Sequence, residues 1–460
     1  MDGLDANLVS TGLDPGGRRW VVRGAPVGAV VSVGGRPRSG ARLDLATPSA
    51  DAVAPRCVVF GLCGGCQLQE MPLARQRAEK HRALATLLGS LGGVDHGIVG
   101  DETGGDDAGY AWRDKLELSC GVDRYFARHE LNTSTPREGR WLGMHAAGRF
   151  DRIVDTPRCE LMSEAVNVVY GRVREALRDA PWPFWNPNTH TGFFRTVLLR
   201  EGDPDDDGQP QILVGITTSP GTDEQAEWLH AHAPGWGAAG VLWYESDRPS
   251  DAPGAPLRAV LHGQGHLTAT LGHVRYRLAP TSFFQANRRA AALLAEHVAA
   301  WVRPAEPGTG TLLDLYCGTG AWALYCARDF AQVVGIEQNP AAIEDARANA
   351  VVNGIVPDGF IAGDVEARLP ELLAALPADA ALAVIVDPPR SGLHPRALAT
   401  LITLPARVLV YVACRPSSLA RDGAALQAAG WRCTDRIAVD LFPQAGHVEV
   451  VTRWEREATP

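Results

Sequence analysis

Three groups of residues have types and spacings that could do chemistry. The first is Cys414, set between the apolar run 410–413 and Arg415-Pro416 in VYVACRPSSLARD. A thiol there is an inert core group, as free cysteine commonly is, or a nucleophile, whose reactive form is the thiolate favoured by nearby cations. Arg415 and Arg421 are the neighbouring cations. The second group begins with Asp314-Leu-Tyr-Cys-Gly318-Thr-Gly320 and continues to Glu337, 23 residues beyond Asp314. Glycines at such a turn let a ligand approach the backbone, and an acid ending the next strand can accept from ribose hydroxyls. The third group is Cys57-x5-Cys63-Gly-Gly-Cys66, with Cys159 in TPRCEL far along the chain. Clustered thiols are metal ligands or a redox or structural group; as ligands they suit zinc or an iron–sulfur cluster, and spacing alone leaves both open.

Parallel strands with helical crossovers must position the second group. The apolar runs TLLDLY, QVVGIE, FIAGDV, LAVIVDPP and RVLVYVAC alternate with helical stretches such as NPAAIEDARANAVVNG. That alternation predicts βαβ units and a doubly wound parallel sheet covered on both faces, with ligands outside the carboxyl ends of its strands. Asp364 and Asp387 fall at two of those ends. Asp364 reads equally as a helix N-cap, whereas the two prolines after Asp387 fix an extended exit that aims its carboxylate into the crevice. A DxYCGTG turn in place of GxGxxG, with those two acids, favours S-adenosylmethionine over a dinucleotide.

Upstream, residues 1–50 carry short apolar runs broken by glycines and read as a small β module. Residues 51–92 hold the cysteine loop and a predicted helix, LARQRAEKHRALATLLGSLG. Residues 93–275 alternate strands (KLELSCG, TVLLR, QILVGITTS, GVLWYES) with the helix SEAVNVVYGRVREALRD, an α+β pattern, and residues 276–460 form the doubly wound part. The composition, 45% hydrophobic and 21% charged, is that of an ordinary globular protein. No apolar run approaches a membrane span and the N-terminus MDGLDANLVS is acidic, so a cytoplasmic protein is expected. Nine cysteines in 460 residues are too sparse for a disulfide scaffold. The net charge of -9 argues mildly against nucleic acid, although binding needs only local basic patches.

LLDLYCGTG, VDPPRSGL, YVACRPSSLARD, FPQAGHVE and the upstream SFFQAN, in this order, resemble the S-adenosylmethionine-dependent family that makes 5-methyluridine in transfer and ribosomal RNA. The similarity extends through YAWRDKLELS, LGMHAAGRFDRIVD and GFFRTVLLRE to the cysteine loop. It implies a class I, Rossmann-like methyltransferase domain. Cys414 would be the nucleophile that adds to carbon 6 of uracil, and Glu449 the base that removes the proton from carbon 5. Gln285, Tyr316, Glu337 and Asp387, with Asp364, would bind the methyl donor. Members with this cysteine spacing carry a [4Fe-4S] cluster, so Cys57, Cys63, Cys66 and Cys159 would be its ligands. The N-terminal module would be a degenerate TRAM domain, an OB-like β-barrel whose Arg18, Arg19, Arg23, Arg36, Arg38 and Arg42 would track an RNA backbone. Phe283 or Phe284 would stack on a base extruded from an RNA loop, and the protein would act as a monomer.

The chain departs from the family pattern at three places. ACRP stands for the more common SCNP, FPQAGHVE for FPHTPHVE, and Ala321 for an asparagine after the second glycine. These departures bear on target choice and donor affinity. Two other readings stay open: an RNA-binding protein that keeps the fold but has lost turnover, and a cytosine-5 methyltransferase, which shares the thiol addition but would place its nucleophile in a different motif and gives no reason for Glu449.

Overall fold

The computed structural model describes residues 1–456 except 6, 24, 35, 38–39, 104–107, 128–129, 131–133, 135, 147, 251–253 and 378–379, and except the side chains of 23, 34 and 40–45. Arg38 and the side chains of Arg23 and Arg42 therefore lie outside the described residues, while Arg18, Arg19 and Arg36 are exposed.

The C-terminal part is built on an eight-stranded sheet. From edge to edge it runs Phe360–Ala362, Gln332–Glu337, Thr311–Leu315, Leu382–Val386, Ala406–Ala413, Glu449–Arg456, Trp431–Val439 and Val94–Val99. All neighbours are parallel except Glu449–Arg456, which is antiparallel to both strands beside it. Strand alternation sends Leu312, Ile385, Val410 and Val412 into one core, against the helix Arg288–Val302. Leu313, Val384, Leu409 and Tyr411 enter the core on the opposite face. With both faces covered, the strands are apolar throughout, the condition for a parallel sheet. The order reverses between Thr311–Leu315 and Leu382–Val386, whose chains continue to opposite sides, and the crevice at such a switch point is where these sheets bind ligands.

The central part is a seven-stranded sheet including Lys115–Asp123, Phe194–Glu201, Ile212–Thr218 and Gly240–Glu245, the strands expected from sequence. Leu116, Leu118 and Cys120 alternate toward Val166, Val169, Tyr170 and Val173 of the helix Glu164–Asp179. That helix starts where the sequence has Ser163, whose side chain accepts from the Val166 amide. The N-terminal module is a five-stranded sheet. One strand crosses the expected division at residue 92: Val94–Val99 extends the C-terminal sheet instead of the central one. No helix among the described residues is long and apolar enough to cross a membrane.

The helix Leu73–Leu88 joins these parts. It contributes Ala83, Leu84 and Leu88 to the second core, and it also buries Gln76 and Lys80. A buried lysine requires a partner, and Lys80 Nζ lies 2.7 Å from the wholly buried carboxylate of Asp440.

Candidate active site

The strand ends build one cavity of about 1190 Å³. Its wall includes all seven candidate catalytic and donor-binding residues of the C-terminal part: Gln285, Tyr316, Glu337, Asp364, Asp387, Cys414 and Glu449.

Cys414 and Glu449 meet because the last strand runs backwards. Ala413 pairs with Val450 across the antiparallel ladder, and Val439 with Glu449. One residue further along the first ladder sets Cys414 beside Glu449, and opposite residues of antiparallel strands share a face. The Cys414 side chain is half-buried and open to the cavity, not sealed in the sheet. Its thiol is pushed up to about 11, first by burial, then by the charges of Glu449 and Asp387, with Arg390 opposing. Glu449 is 4% exposed, and burial holds its carboxyl well above the usual range, reinforced by Asp387 and again opposed by Arg390. The cation that acts on this pair is thus Arg390 of VDPPRSG. Arg415 and Arg421, expected to do so, are differently disposed: Arg415 is exposed, and Arg421 pairs with Asp422 at 2.7 Å.

The remaining acids are held by their turns. Tyr316, Gly318 and Gly320 all take positive φ (66°, 55° and 83°), which two glycines adopt freely and Tyr316 adopts under strain. The tight turn lets the Gly318 amide donate to Glu337 Oε2 at 3.2 Å, while the Asn339 amide donates to Oε1 at 2.8 Å. A carboxylate offers about four acceptor positions, so Glu337 is fixed and still able to accept from a ligand hydroxyl. Asp387 accepts from the Trp322 indole at 2.8 Å, and burial raises its carboxyl to about 6. Asp364 occupies the N-cap position of the helix Val365–Ala375 without a side-chain cap bond. It also lines the cavity, so the structure gives it both of the positions its sequence readings expected.

The two phenylalanines separate. Both line the cavity, but Phe284 is buried against Tyr276 with ring centroids 4.9 Å apart, whereas Phe283 is 68% exposed. Sequence reasoning missed Arg390 and Trp322. The signal for each was its place inside a motif already in view, three residues after Asp387 and two after Gly320.

Away from this cavity, Cys57, Cys63, Cys66 and Cys159 line a second, small one. Cys63 forms a β-bridge with Ala146 of the central part, and Asn167 clasps the backbone of Cys159, accepting from its amide at 2.9 Å and donating to its carbonyl at 3.1 Å. Burial raises all four thiols, to about 11 at Cys63 and about 12 at Cys66, and the charge of Cys159 adds to the rise at the other three. Among the described residues, however, no three such side chains are gathered as they stand to hold a metal ion. The four thiols share a cavity wall, which fits an all-thiolate group by donor chemistry.

Residues 312–399 match a family described as a methyltransferase domain. The chain is 32% identical over 422 residues to a protein of Chlorobaculum tepidum named an uncharacterized RNA methyltransferase, covering 90% of this chain and 85% of that one. It is 30% identical over 452 residues to another so named from Caldanaerobacter subterraneus, covering 96% and 94%. The crystal structure of Pyrococcus abyssi tRNA (uracil-54, C5)-methyltransferase in complex with S-adenosyl-L-homocysteine shares the fold, with a TM-score of 0.73 at 24% identity over 99% of each chain. On sequence shared along nine-tenths of its length and a fold matched from end to end, the protein belongs to the RNA methyltransferase family.

Proposed function

We propose that the protein transfers a methyl group from S-adenosylmethionine to carbon 5 of a uridine in structured transfer or ribosomal RNA. The observation that carries this reading is the pairing of Cys414 with Glu449 at the edge of a cavity that also holds a row of strand-end acids. Carbon 5 of uracil is a weak nucleophile. The Cys414 sulfur, once deprotonated, bonds to carbon 6, and the carbon 5–carbon 6 electron pair moves toward the 4-oxygen to leave an enolate. The donor, when bound, supplies a methyl cation equivalent: carbon 5 forms the new bond and the sulfonium–methyl bond breaks to give a neutral thioether. Glu449 then takes the proton from carbon 5, the double bond re-forms, and the carbon 6–sulfur bond breaks to return the thiolate.

The raised values of Cys414, Glu449 and Asp387 share a first cause, burial, which neighbouring acid charges reinforce at Cys414 and Glu449. A cationic ligand beside them favours their ionised forms. Glu337 suits the ribose hydroxyls of such a donor, and Gln285, Tyr316, Asp364 and Asp387 complete its side of the cavity. Phe283, exposed at the wall, offers a face on which a flipped base can stack. Arg18, Arg19 and Arg36 of the N-terminal module offer cations to an RNA backbone. Incubation with labelled donor and total RNA, followed by digestion to nucleosides, tests the reading: labelled 5-methyluridine is expected, and 5-methylcytidine or no labelled nucleoside would overturn it.

Asp387→Asn should separate stability from binding. Because folding raises this carboxyl from 3.8 to about 6, its contribution to stability is lost as pH rises through that interval. The amide keeps an acceptor for Trp322 without the charge, so the free protein should gain about 1 to 3 kcal/mol at pH 8 and about half as much at pH 5. Donor affinity should fall about tenfold or more. Thermal melts at the two pH values and calorimetric titration check both halves.

For the second cavity the reading is a [4Fe-4S] cluster held by Cys57, Cys63, Cys66 and Cys159, tying the cysteine loop to the central part. The cluster's iron would stabilise as thiolates the four side chains that burial otherwise keeps protonated. Anaerobic reconstitution of the wild type should give the broad visible absorption of a cluster and raise the melting midpoint, and Cys159→Ser should lose both.

A further inference from the structure

Residues 440–448 join the last two strands and deliver Glu449 to the cavity, and no sheet ladder fixes them. Their hold comes from far away in the sequence. The carbonyl of Gln444 accepts from the amides of Gln67 and Leu68, at 2.8 and 3.0 Å, immediately after Cys66. The amide of Gln444 donates to Gln76 Oε1 at 2.9 Å, and Gln76 Nε2 donates back to Gln444 Oε1 at 2.8 Å. Gln67 Oε1 accepts from the Gly446 amide at 3.1 Å. Gly446 lies so close to the N-terminal module that a Cβ there would be 2.5 Å from the Leu8 carbonyl oxygen. Gln444 itself sits at φ 68°, a conformation a glutamine keeps only where its surroundings impose it.

Gln76 and Gln444 are 0% and 3% exposed. A buried amide pair satisfied on both sides is rigid, and each member loses a partner if the other is changed. Neither touches the reacting atoms. A base must come within hydrogen-bond reach of the proton it removes, and a misplacement of about 1 Å can cost about a hundredfold in rate. The cysteine segment and the helix after it are therefore built against the loop whose placement governs Glu449.

We propose that Gln444 is a positioning residue for Glu449, held by Gln76 and by the chain following Cys66, so that the cysteine segment sets the rate of proton removal from carbon 5. This rests on the uridine reading above. Gln444→Met removes the side-chain acceptor with little change of volume and leaves the backbone bonds in place. Its kcat should fall about tenfold or more, with donor KM within about twofold and an unchanged melting midpoint. A protein–RNA adduct that survives denaturing electrophoresis should accumulate, because addition and methylation proceed and release is slowed. Gln67→Ala, which loses only side-chain bonds such as that to Gly446, should shift the adduct fraction the same way and less. If Glu449→Gln traps adduct while both variants release RNA as the wild type does, the positioning role is wrong. It is equally wrong if kcat, donor affinity and melting midpoint fall together without adduct. If no protein forms an adduct, Glu449→Gln included, it is the uridine reading that fails.

Discussion

Cys414→Ala should reduce methyl transfer to RNA by on the order of 10⁴-fold or more, the scale seen when a covalent nucleophile is removed from its catalytic set. The effect is large because nothing else at the cavity wall replaces a sulfur at that strand end. Cys317 is buried under the glycine turn, where burial raises its thiol far above the ordinary value. Donor binding should survive, since Glu337 and Asp387 stand on other strands, held by the Gly318 amide and the Trp322 indole. Calorimetry with the donor and single-turnover transfer with RNA measure the two separately. Turnover within tenfold of the wild type would remove Cys414 as the nucleophile.

Glu449→Gln should slow turnover by about 10² to 10⁴-fold, the usual worth of a general base, and do so at a different step. The amide fills the same space without accepting the carbon 5 proton, so carbon 6 stays bonded to sulfur and the RNA remains attached to the protein. A band resistant to denaturation, labelled from both RNA and donor methyl, is the expected sign; complete release at the normal rate would show that another group takes the proton. Folding should tolerate the change, because the carboxyl it removes is one that burial disfavours in charged form. In the wild type the same burial moves the acid limb of the rate upward: Glu449 must be ionised to act, its carboxyl is held above the usual range, and release should accelerate as pH rises through that raised value.

Much of the catalytic part was legible because parallel strands buried on both faces must be continuous apolar runs, and their ends are where polar residues collect. Thr311–Leu315 and Leu382–Val386 were read from their first residues, to one and three residues past their ends, for that reason. Asp364 was ambiguous because a residue before a helix serves a cap or a cavity with the same side chain, and here it holds both positions, without a side-chain cap bond. Phe283 and Phe284 were indistinguishable because adjacent residues point apart, and sequence alone does not state which side is solvent. The role given to Arg415 and Arg421 failed on direction: proximity along the chain put both beside the thiol, whereas the fold pairs Arg421 with Asp422 and brings Arg390 in from the turn after Leu382–Val386.

By itself the sequence determined the strand and helix types, the turn chemistry around Gly318 and Gly320, and the identities of a thiol and a carboxylate in recognisable surroundings, since each depends on residues a few positions apart. The tertiary structure alone decided which distant segments touch. The reversed last strand brings Glu449 beside Cys414, and Gln76 reaches Gln444 across 368 positions of sequence. Such contacts are set by sheet order and shared cores, which no local pattern encodes.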